Sequence, residues 1–231
     1  MHIRALHEVL QRLDNAARQA GRPSPRLLAV SKRQAADAVA ELAAQGQRAF
    51  GENYVQEAVA KQDALAGKVT ALEWHLIGHL QSNKAALAAE HFDWVQTIDR
   101  VKLVPQLARH RPAARGSLNV LIQVNIDDEA SKHGCRPEDI HEVATAIAAE
   151  PQLRLRGLMA IPAPLPDLQR RRAAFARMRA LFDALVARHP DIDTLSMGMS
   201  EDLELAIAEG ATMVRVGTAL FGARPPRTET T

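Results

Sequence analysis

Lys32 is the side chain best placed for nucleophilic chemistry in this sequence. It closes the run LLAVSK (Leu27 to Lys32), an apolar stretch with the length and composition of a buried strand. The other lysines, Lys61, Lys68, Lys84, Lys102 and Lys132, follow no comparable run. Desolvation at a strand tip favours the free amine over the ammonium. A free amine attacks carbonyls and forms Schiff bases. The competing reading is a lysine whose stem packs on apolar surface while its head reaches water.

Polar, glycine-containing segments stand where several other strands would end: Gly51-Glu52-Asn53-Tyr54, Gly78 to Lys84, Gly198-Met199-Ser200 and Gly217 to Gly222. Barrel enzymes gather functional residues at the C-terminal ends of strands, and the loops after strands 7 and 8 often bind phosphate. Gly198 and Gly217 let the backbone approach an anion closely, and Ser200 and Thr218 offer hydroxyls. Each loop taken singly also reads as an ordinary turn with a helix cap. Set opposite Lys32, the two suit one ligand with a carbonyl at one end and a phosphate at the other, which describes pyridoxal 5'-phosphate. That cofactor also needs a partner for its ring nitrogen. An inward Arg215, two residues before Gly217, could reach the ring. Its permanent charge would leave that nitrogen unprotonated and weaken the cofactor as an electron sink. An arginine paired with an acid inside the barrel explains the same spacing.

The elements that must position these residues alternate along the chain. Strands are predicted at Leu27–Ser31, Arg48–Phe50, Glu73–Ile77, Trp94–Thr97, Leu118–Asn125, Leu155–Ala160, Thr194–Met197 and Met213–Val216. Helical spacing fills the intervals at 35–45, 54–66, 82–90, 100–109, 137–149, 168–188 and 202–209. Gly46 and Gly210 suit helix C-termini, Pro137 with Glu138 and Asp139 suits a first turn, and Asp99 and Ser200 suit N-caps. Strict strand-helix alternation implies right-handed crossovers and a parallel sheet. Eight strands, and no G-x-G-x-x-G turn after the first, favour a closed α/β barrel over an open sheet. The expected architecture is a single (β/α)8 TIM barrel over residues 1–224, with an extra N-terminal helix at 3–20 and a disordered tail at 225–231.

Bulk properties narrow the function classes. The chain has 231 residues, 47% of them hydrophobic and only 3% aromatic, which suits helices packed on a parallel sheet around an aliphatic core. Its 29 basic and 27 acidic side chains nearly cancel, so no nucleic-acid partner is expected. The basic run Gln169–Arg172 reads as a solvated helix face. No apolar run reaches membrane-spanning length, and no secretory core stands at the N-terminus. One cysteine, Cys135, excludes an intrachain disulfide and a paired-cysteine zinc site, and fits a reducing, cytoplasmic location.

The runs AVSK (29–32), FGENYVQE (50–57), WHLIGHLQSNK (74–84), IQVNIDDEASKHG (122–134), RGLMAI (156–161), LSMGMSEDLELAI (195–207) and VRVGTALFG (214–222) resemble the pyridoxal phosphate homeostasis protein family. The resemblance covers nearly the whole chain. It implies the barrel of the alanine racemase N-terminal domain without that enzyme's second domain. It implies that Lys32 carries pyridoxal 5'-phosphate as a Schiff base. Ser196, Met199, Ser200, Arg215, Gly217 and Thr218 would hold the phosphate and ring, with Asn53 and His79 in matching pocket loops. The family's role is to keep the cofactor available, with client apo-enzymes as possible acceptors and no catalytic turnover implied. One departure follows RGLMAI, where AIPAPLPD lacks the glycine that the family often places after this strand.

A racemase-like enzyme is the alternative. Two-base racemisation needs a second acid or base opposite the lysine, and Tyr54 is the only tyrosine, with His79 as another candidate. A Schiff-base aldolase on the same fold, and a barrel with a merely structural Lys32, complete the set. Lys84 and Lys132 lie in polar loops and read as surface lysines, with transient cofactor transfer as the other reading.

Overall fold

The computed structural model describes residues 2–129, 132–163 and 165–222. The expected tail at 225–231 lies outside these. Eight strands close into one barrel, all pairs parallel, with β8 hydrogen-bonded back to β1. They are β1 (Arg26–Val30), β2 (Ala49–Glu52), β3 (Glu73–Leu76), β4 (Trp94–Ile98), β5 (Leu118–Val124), β6 (Leu153–Ala160), β7 (Thr194–Met199) and β8 (Met213–Val216). The helices are α1 (His2–Gln19) ahead of the barrel, then α2 (Ala36–Ala44), α3 (Val55–Leu65), α4 (Ala85–His91), α5 (Val104–His110), α6 (Ile140–Ala148), α7 (Leu168–Val186), α8 (Leu203–Ala208) and α9 (Thr218–Phe221). The expected (β/α)8 barrel with an N-terminal helix is therefore the observed fold.

Two-residue alternation sorts each strand between layers. Leu27, Ala29, Val214 and Val216 join the large core shared with the helices. Leu28 and Met213 belong to a separate cluster inside the barrel with Ala49 and Ile77, and Trp94, Leu121 and Met159 form another. Arg215 follows the parity of Met213, and its Cα pairs with Leu28, so it points inward.

Some boundaries moved for physical reasons. β2 runs on through Gly51 and Glu52, because Glu52 is fully buried against Lys61. α4 and α5 begin later than their periodicity suggested, each behind a 3-10 turn, at Ser82–Lys84 and Val101–Leu103. Asp99 and Ser200 are not N-caps: Arg100 stands at that place before the Val101–Leu103 turn, and Asp202 before α8. Gly46 and Gly210 do follow α2 and α8 with positive φ. Among the described residues no helix is long and apolar enough to cross a membrane.

Candidate functional site

The turn after β1 carries Lys32, and its two neighbours are both anchored. Lys61 on α3 is 7% exposed and donates from Nζ to the Ser31 carbonyl at 2.6 Å, to Glu52 Oε1 at 2.6 Å and to Glu57 Oε1 at 2.8 Å. Ser31 Oγ donates to the same Glu52 oxygen at 2.6 Å, and the Arg33 amide donates to Glu57. Arg33 itself holds a left-handed φ of 61°. Burial raises the Glu52 carboxyl above its ordinary range, with Lys61 pulling the other way. Lys61 thus neutralises buried charge and fixes the turn that presents Lys32.

Lys32 opens into a cleft of about 270 Å³ at the C-terminal ends of β1, β7 and β8. Met199, Ser200, Arg215, Gly217, Thr218 and Asn53 line it too, so seven of the nine expected site residues converge there. The other two do not. Ser196 is fully buried behind Arg215. His79 lines a neighbouring cleft of about 480 Å³, which shares Asn53 with the first. The two clefts adjoin because Gly78 packs on the Asn53 backbone; a Cβ at Gly78 would stand 2.1 Å from the Asn53 carbonyl oxygen.

Three features were not legible in the sequence. Arg171, read as part of a solvated basic face, lines the first cleft, and its Nε is buried with no hydrogen-bond partner among the described residues. Asp202, 8% exposed, also lines it and accepts the Met199 amide at 2.7 Å, which shapes the turn before α8. Gly198 serves packing instead of anion approach: its φ is +91°, and a Cβ there would stand 2.5 Å from the Ala206 Cβ. The α1 helix reaches the same loop, since Arg12 donates to the Ser200 carbonyl at 2.8 Å and forms a two-point ion pair with Glu204.

Arg215 is 4% exposed. Its guanidinium donates to Ser196 Oγ at 2.7 Å and to the Ala160 carbonyl at 2.7 Å. No carboxylate forms an ion pair with it among the described residues, so the alternative of an acid partner is not realised. Burial pushes it down to about 10, against the pull of Asp202, which leaves it charged at neutral pH.

Behind Arg215 a hydrogen-bonded series crosses the barrel interior. Ser196 Oγ donates to Gln96 Oε1 at 2.7 Å, which turns the Gln96 amide nitrogen toward His75 Nδ1 at 2.9 Å. The His75 proton therefore sits on Nε2, 2.6 Å from Glu73 Oε1. Arg26 donates to that oxygen at 2.7 Å from the opposite mouth. His75 stacks on Trp94, with ring centroids 5.1 Å apart. Burial holds the imidazole below its ordinary 6.5, in the neutral form. Burial alone would raise the Glu73 carboxyl, but the His75 hydrogen bond and Arg26 outweigh it and hold it at about 2.

The sign for stability follows. Both groups bind protons more readily in the unfolded chain, so stability is lost as pH falls. The expected result is a melting temperature that drops below about pH 6.5, as unfolded His75 takes its proton, and drops again from about 4.5 toward about 2, the Glu73 window. A level melting temperature between pH 7 and 5 would contradict a neutral buried His75.

Residues 4–225 match the family of the alanine racemase N-terminal domain. The pyridoxal phosphate homeostasis protein of Escherichia coli K12 is 54% identical over 223 residues, 95% of each chain. The protein of the same name in Pseudomonas aeruginosa is 54% identical over 219 residues, 94% of this chain and 93% of its own. The structure of PipY from Synechococcus elongatus with PLP bound superposes with a TM-score of 0.84 at 39% identity, over 96% of this chain and all of that one. Alanine racemase from Corynebacterium glutamicum shares the fold at 21% identity and a TM-score of 0.66, over 94% of this chain and 63% of its own.

Proposed function

The chain belongs to the pyridoxal phosphate homeostasis protein family, and from that premise we propose that it holds pyridoxal 5'-phosphate covalently on Lys32 and keeps it available to other proteins. The observation that carries this reading is the convergence of Lys32, Arg215, Ser200 and Thr218 on one small cleft with a guanidinium nitrogen of Arg171 that has no hydrogen-bond partner among the described residues. A volume of about 270 Å³ is at the small end for ligand pockets, which suits a single-ring cofactor. Buried donors without partners are rare in native proteins, and a phosphate would satisfy Arg171 Nε.

The residues fit the cofactor in named roles. Ser200, Thr218 and Arg171 would hold the phosphate, at the loop that opens α9. Arg215 would face the ring nitrogen, with Ser196 holding Arg215 in place. Asn53 and Met199 would border the ring. When bound, the cofactor supplies an aldehyde for the Lys32 amine and an electron sink in its ring. A charged Arg215 beside the ring nitrogen keeps that sink weak.

A holding role is favoured over racemisation, which needs a second acid or base across from the lysine. Tyr54 is 58% exposed and lines the neighbouring cleft, as does His79. The acceptors would be client apo-enzymes. A single free cysteine suits a cytoplasmic setting.

The test is borohydride reduction of the cofactor-loaded protein, followed by digestion and mass analysis. The expected result is a pyridoxyl mass on the peptide that contains Lys32, and its loss in Lys32→Ala. A label on another lysine with Lys32 bare would overturn the assignment.

A further inference from the structure

His79 and His133 line the second cleft, and with Asp99 they make a set of donors outside the cofactor cleft. We propose that His79, Asp99 and His133 form a binding site for a zinc-class divalent cation, independent of the cofactor cleft. Each offers one donor atom, and the three atoms lie within 4.8 Å of one another. Two imidazoles and one carboxylate are the donor types that zinc and its neighbours select, whereas magnesium and calcium prefer oxygen alone. His79 lies after β3, Asp99 directly after β4 and His133 in the loop after β5, so the segments that follow three successive strands supply one ligand each.

The surroundings orient the ligands. Arg100 pairs with Asp99 Oδ1, which leaves Oδ2 facing His79 Nδ1 at 3.5 Å. Support of a ligating carboxylate by a second hydrogen bond is the usual arrangement at metal sites. The two imidazoles stack face to face, with centroids 3.8 Å apart and planes 14° apart.

Three protein ligands leave a fourth position, and it opens on a cleft of about 480 Å³. Such a site keeps solvent on the metal, as catalytic zinc sites do and structural ones do not. Lys84 lines the same cleft and adds positive charge. Affinity is therefore expected at micromolar zinc, below that of closed structural sites.

The test titrates the full-length protein, with and without cofactor, with Zn²⁺, Co²⁺ and Mg²⁺. The expected result is one equivalent of zinc, visible ligand-field bands with cobalt, and no response to magnesium. His133→Ala and Asp99→Asn should each weaken zinc at least about tenfold, with the circular dichroism spectrum and the cofactor absorbance unchanged. His133 is exposed, so its removal leaves the barrel intact. Cys135→Ser should leave zinc binding as it was, because that thiol is buried and lies outside the three-donor group. Full zinc binding in His133→Ala, its loss in Cys135→Ser, or no stoichiometric binding at all would each overturn the site.

Discussion

Lys61→Met is expected to cost the fold roughly 3–5 kcal/mol, the range for removing one partner of a buried ion pair. Among the described residues Lys61 is the cation that pairs with Glu52. That carboxylate is wholly buried, and its Oε2 already lacks a partner among the described residues. Without Lys61 it must either ionise in an apolar setting or take a proton at neutral pH. The substitution also releases the Ser31 carbonyl and Glu57, so the Lys32 turn loses its footing. Urea unfolding measures the first effect, and the rate of cofactor loss measures the second. Adding Glu52→Gln to Lys61→Met should restore much of the stability, because no buried charge is then stranded. A loss under about 1 kcal/mol for Lys61→Met alone would show that the pair contributes no more than an exposed one.

Arg215→Met is expected to separate stability from binding. The guanidinium is buried with no carboxylate ion pair among the described residues, so deleting its charge removes a desolvation cost as well as two hydrogen bonds. The two nearly offset, and the melting temperature should move little. Cofactor affinity should fall roughly 10- to 100-fold, the worth of one hydrogen bond to a charged group. Equilibrium dialysis with the cofactor, alongside thermal unfolding, reads both numbers. A large loss of stability with unchanged affinity would make Arg215 a structural residue.

The sequence disclosed the fold well because a parallel barrel writes its strands as apolar runs between helices. Met213–Val216 was legible to the residue, and Trp94 and Thr194 began their strands as expected. The cleft was legible where its residues sit at strand ends, as Lys32, Ser200 and Gly217 do. What escaped was orientation across elements. Ser196 and Gln96 lie one hundred residues apart, and no spacing reveals that they meet inside the barrel. Lys61 looked like any helical lysine, yet it is the buried one, while Lys32 is only half-buried. Arg171 shares a run with Arg170 and Arg172, and composition cannot tell which of the three turns inward. His79 and His133 are held together by loops that periodicity does not describe.

The series from Arg215 to Glu73 has one further property. Every proton in it points the same way: from the guanidinium to Ser196, from Ser196 to Gln96, from Gln96 to His75 and from His75 to Glu73. It is a one-directional row of dipoles with a cation at the cofactor mouth and an anion at the other. Aligned bonds polarise one another, so neither the Gln96 amide nor the His75 tautomer can reverse alone. The two mouths of the barrel therefore share a single polarity, set by opposite charges and carried through an interior that the eye would otherwise take for ordinary core.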